Sequence, residues 1–159
     1  MTSVRVESAG RVVALASLSM FFTACFFVWG FVRLSADAWP PPGASPLPWR
    51  LPCACLALMV LGSFLLERAR SGWSVVAVGC AVLGLQGLLL RGLVQAGWTP
   101  GQLGVPGAVV LGLLGVQGLS VLVAVCGLAS AAGAPRRWAA YWHLLSAMTA
   151  VALVAVFLT

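Results

Sequence analysis

Five long apolar stretches crowd into a chain of 159 residues and leave it few ways to fold. Drawn by apolar run length, they cover about residues 12–32, 51–66, 73–95, 105–132 and 138–158. Each is near the roughly 20 residues that cross about 30 Å of hydrocarbon as an α-helix. The second is the shortest and starts at Pro52, a residue suited to a first helical turn. Between the spans lie Trp39 to Pro48, Glu67 to Gly72, Gly97 to Gly104 and Gly133 to Arg137, which read as loops from their Gly, Pro and Ser content. With 62% hydrophobic and 8% charged residues, and a mean hydropathy of +1.06, no core of this size could hide the apolar surface from water. The pattern predicts an all-α membrane protein: one transmembrane domain over residues 1–159, a five-helix bundle with its termini on opposite faces.

Charge gives the orientation. The formal net charge of +6 comes from nine arginines and no lysine, scattered at span ends and not gathered into the basic stripe that nucleic acid requires, so no nucleic-acid partner is expected. Arg5, Arg11, Arg68, Arg70, Arg136 and Arg137 fall on one side, and Arg33, Arg50 and Arg91 on the other. The positive-inside rule then predicts a cytoplasmic N-terminus and an outer C-terminus, and the lysine-free, Ala/Gly/Arg/Pro-heavy composition looks like a GC-rich bacterial genome, so a bacterial cell membrane is expected. The first span runs on beyond a signal-peptide apolar region and is expected to remain in the mature protein. Trp29, Trp39, Trp49, Trp73, Trp98, Trp138 and Trp142 stand at or near span ends, where an indole anchors to the interface.

The polar residues at membrane depth bound the chemistry. As drawn, the spans contain no acid, whereas an ion or proton path would need Asp, Glu, His or Lys there. Gln86 and Gln117 sit mid-span, where an amide needs a partner on a neighbouring helix or a substrate contact. His143, the single histidine, suits an interhelical hydrogen bond or a lipid head group. Arg91 can snorkel outward or meet a lipid phosphate or another subunit. Cys25, Cys53, Cys55, Cys80 and Cys126 read as small apolar residues, and Cys53-Ala54-Cys55 has the wrong spacing for a zinc or redox motif. No catalytic, metal or cofactor-binding residue is expected in this chain. Gly79, Gly84, Gly87, Gly112, Gly115 and Gly118 are expected at helix seams.

Four ordered segments carry a resemblance. The first is Ser17 to Phe22, running through Arg33 into Trp39-Pro40-Pro41-Pro42-Gly43. Next come Leu85-Gln86-Gly87 with Gly97-Trp98-Thr99-Pro100, then Leu114 to Ser120, then Ala140-Tyr141-Trp142-His143-Leu144-Leu145-Ser146. In order and spacing they resemble cytochrome c oxidase subunit III, and the five spans are similar to the last five helices of its seven-helix form. The chain departs from that family at Leu18, Leu89, Gln117, Ser120 and Ser146, where the family carries acids or histidines.

The resemblance implies a divergent, non-catalytic subunit of a haem–copper oxidase that braces catalytic subunit I and holds phospholipid. Haem and copper are then expected in the partner subunits. Trp39, Gln86, Arg91, Gln117, Trp142 and His143 become candidate lipid or subunit contacts. A related accessory protein of nitric oxide reductase would share these features. A small independent transporter or scaffold is the reading from a different class, and it needs polar groups along one helix face, where this sequence has scattered amides.

Overall fold

The computed structural model of the chain describes residues 2–68, 72–131 and 135–158. Arg70 and Ala132, the drawn end of the fourth span, lie outside the described residues, as does the side chain of Arg5. The described residues contain five helices long and apolar enough to cross a membrane, and no strand. The protein is therefore an all-α, multi-pass membrane protein.

Helix α1 covers Thr2–Leu34, starting well before residue 12, because nothing between Ser3 and Arg11 stops a helix. It ends ahead of the three prolines, whose missing N–H groups cannot continue a helix. Helix α2 covers Arg50–Arg68 and takes in Glu67, which the sequence reading left in a loop. The correction places one acid in the last turn of a spanning helix. Helix α3 covers Trp73–Gln95. The next segment also departs from a plain loop: Pro100 starts a single turn, α4 (Pro100–Leu103), which Gly104 closes at φ 61°. Helix α5 covers Val105–Ser130. A 3₁₀ turn at Pro135–Trp138 leads into α6 (Ala139–Ala152), which continues as π-helix over Leu153–Leu158.

Helices α2, α3, α5 and α6 enclose the centre of the bundle, and α1 lies outside against α5 and α6. Only 11% of the apolar window of α1 is buried, and Phe21, Phe27 and Phe31 are exposed, as suits a helix bathed in lipid. The core forms two apolar layers. One gathers Phe22, Met59, Leu66, Val121, Leu128 and Trp142, and the other Trp29, Leu93, Trp98, Val110 and Leu114.

Glycines decide how near the helices come. A Cβ on Gly62 would stand 2.5 Å from the Trp142 ring, one on Gly79 would collide with Val125, and one on Gly127 with Trp138. Gly118 faces the Gln86 amide. Gly84, Gly87, Gly112 and Gly115 have open space where a Cβ would go, so they face outward and not into a seam as expected. Small-residue spacing alone does not say which stripe meets a neighbour. Gly62→Ala is expected to destabilise the protein by about 1–3 kcal/mol through overpacking. Gly84→Ala should stay within about 0.5 kcal/mol of wild type, as surface changes do. Thermal unfolding in lipid nanodiscs measures both.

Candidate functional site

The buried polar side chains fall at three depths. At the first, helical spacing sets Met59, Ser63 and Glu67 along one face of α2, opposite Trp142, His143 and Ser146 of α6. Trp142 is fully buried, and its indole N–H donates to the Met59 carbonyl at 3.0 Å. Ser63 Oγ donates to the same carbonyl at 3.2 Å, and Ser146 Oγ to the Trp142 carbonyl at 2.9 Å. His143 Nδ1 lies 3.2 Å from Ser63 Oγ, a hydrogen bond whose direction the imidazole tautomer sets. His143 Nε2 then faces Glu67 Oε1 at 3.9 Å. That pair is open, with side chains 42% and 68% exposed, in a groove of about 240 Å³ lined by Val60, Ser63, Phe64, Glu67 and His143. An exposed pair of this kind contributes about 0–1 kcal/mol.

At the second depth, between the two apolar layers, Gln86 Nε2 donates to the Leu114 carbonyl at 3.2 Å. Gln117 Nε2 donates to Thr149 Oγ1 at 2.6 Å, and Thr149 passes its own proton to the Leu145 carbonyl at 2.8 Å. These bonds tie α3 to α5 and α5 to α6. Tyr141 adds a link from α6 to the Ser120 carbonyl at 3.2 Å.

The third depth is the tryptophan end. Trp29 donates to the Ala155 carbonyl at 2.9 Å and Trp98 to the Ser45 carbonyl at 3.0 Å. Trp39, whose peptide bond to Pro40 is cis, stands edge-on to Trp29 at 4.8 Å and tilted to Trp98 at 5.7 Å. The Arg33 guanidinium lies 5.6 Å from the centre of the Trp39 ring. The loop is thereby folded back onto the bundle.

Tryptophans behave in two ways. Trp49 and Trp73 are exposed and suit interface anchoring, whereas Trp29, Trp98 and Trp142 are buried and act as core pieces with a hydrogen-bonded tip. Of the six candidate residues, the structure links Trp142 and His143 to α2, Gln86 and Gln117 to neighbouring helices, and Trp39 to two indoles. Arg91 stands apart, exposed near the tryptophan end of α3. Ser63 and Glu67 were missed from the sequence, although steps of four from Met59 to Ser63 and from Ser63 to Glu67 mark the shared face. No group of three His, Cys, Asp or Glu side chains able to hold a metal occurs among the described residues. The arrangement joins helices and leaves a surface groove open beside His143 and Glu67. Compared with known proteins, the chain matches no family model and no curated relative.

Trp142→Ala is expected to cost about 3–5 kcal/mol, the scale for emptying a buried indole site. His143→Leu should cost about 1 kcal/mol and His143→Gln less, because only one half-exposed interhelical bond is at stake. Chemical unfolding of the three variants ranks them.

Proposed function

We propose that this chain is a non-catalytic, subunit III-like component of a bacterial respiratory haem–copper oxidase, bound beside catalytic subunit I. It sits in the cell membrane with its N-terminus in the cytoplasm, braces its partner and holds phospholipid. Haem and copper belong to the partner subunits in this reading. The observation that carries it is a relay of contacts through the four segments of the resemblance, taken in order. Trp39 of the first segment packs on Trp98 of the second, Gln86 of the second donates to Leu114 of the third, and Tyr141 of the fourth donates to Ser120 of the third. Segments that act together as a brace need such mutual contact. The polar side chains at depth are committed to these helix-to-helix bonds, which suits a brace better than a transport path. Arg91 and the His143–Glu67 groove are left for lipid or a neighbouring subunit.

Affinity purification of the tagged full chain in mild detergent, with haem spectroscopy and mass spectrometry, tests the proposal. Oxidase subunits I and II with haem absorbance are expected. Nitric oxide reductase subunits would reassign the chain to that complex, and recovery without any haem protein would contradict the proposal. Cysteine labels at Ser45 and Gln102 should react from outside the cell, and a label at Arg136 only after permeabilisation. A label at Arg136 that reacts in intact cells would overturn the orientation.

A further inference from the structure

A small cavity lies between α2, α3, α5 and α6, at the level where the two apolar core layers meet. Gln86, Gln117, Thr149 and Cys55 line it, with Pro52, Leu114 and apolar neighbours completing the wall. Gln86 and Gln117 are 6% and 5% exposed, so both amides are more than nine-tenths buried. Their nitrogen ends are already committed, Gln86 to the Leu114 carbonyl and Gln117 to Thr149. Neither carbonyl oxygen accepts a hydrogen bond from any described residue. Among the described residues, no side-chain oxygen sealed away from free space lacks a partner. The two oxygens therefore border open space, and both residues line this cavity.

Its size and chemistry select the occupant. About 20 Å³ is open to a water-sized sphere, against the roughly 10–15 Å³ that one water needs. That is too little for a lipid chain or an organic ligand. Empty cavities in proteins are apolar, whereas a polar one with two to four partners holds water. The described lining residues include no carboxylate, so a cation would find no compensating charge. Thr149 already accepts from Gln117, and its one proton goes to the Leu145 carbonyl, so it has no donor left to offer. The Cys55 thiol has no hydrogen-bond partner among the described residues and remains a weak donor. The helix beside the cavity also changes winding, for the π-helical stretch begins at Leu153, which lines the wall. Such widened turns often accompany sites.

We propose that this cavity is a buried water site: one long-lived water donates its two protons to Oε1 of Gln86 and Oε1 of Gln117 and accepts from the Cys55 thiol. The water completes a neutral polar belt joining α2, α3 and α5, with α6 reached through Gln117 and Thr149. This inference does not depend on membership of an oxidase.

The test is side-chain amide NMR on the full chain in lipid nanodiscs, with ¹⁵N-labelled glutamine. Magnetisation transfer from a long-lived water to both the Gln86 and Gln117 amides is expected. Gln117→Leu should abolish the transfer at Gln86, and Gln86→Leu the transfer at Gln117. Should either variant fail to fold, a density map of the wild-type chain at a resolution that shows waters decides the matter. A single peak within hydrogen-bonding distance of both Oε1 atoms is expected. Amides without water contact in the wild-type chain, or a map in which the cavity is empty or filled by a side chain, would overturn the proposal.

Discussion

The seating of Trp142 between two glycines is the contact on which the bundle depends. Lipid tails are as apolar as leucine, so helices in a membrane gain little from hiding oily surface and rely on close packing and hydrogen bonds. The Trp142 indole supplies both. Gly62 of α2 stands under the ring, Gly79 of α3 lies beside it, and the N–H reaches the Met59 carbonyl at 3.0 Å. One side chain of α6 thus fixes the approach of two other helices. Ser63, Ser146 and His143 gather around the same stretch of α2 because that approach brings them within reach.

The rest of the core follows from this closure. With α6 held against α2, Thr149 stands two turns further along and meets Gln117 of α5, and the Ala155 carbonyl meets Trp29 of α1. Each depth of the bundle is tied by a neutral donor and a neutral acceptor. Neutral bonds avoid the cost of charge in hydrocarbon. The ionisable groups in these contacts stay near the ends, where Arg33 meets Trp39 and His143 faces Glu67.

The five crossings were legible because a run of about 20 apolar residues has few alternatives at this composition. The need of Gln86 and Gln117 for partners was legible for a similar reason: an unpaired amide at mid-membrane is costly. Orientation around each helix axis was not. Gly79 and Gly118 meet a neighbouring helix whereas Gly84 and Gly112 face outward, because a high glycine content does not say which face of a helix meets its neighbour. The tryptophans misled in the same way, since Trp98 and Trp142 lie near span ends in sequence but inside the bundle in space. Glu67 was assigned to a loop with Ser71 and Gly72, while the helix runs two residues past Leu66 to Arg68 and carries Glu67 in its exposed last turn. The π-helical end over Leu153–Leu158 keeps the same apolar character as an α-helix and leaves no mark in the composition.

A double-mutant cycle on Gly62 and Trp142 tests the central contact most directly. The free energy of unfolding is measured in nanodiscs for wild type, Gly62→Ala, Trp142→Leu and the double variant. If the glycine exists to admit the indole, Gly62→Ala should be harmful only while the ring is present, giving a coupling of about 1 kcal/mol or more. Additive effects, within about 0.5 kcal/mol, would contradict the claim that this contact sets the packing of the bundle.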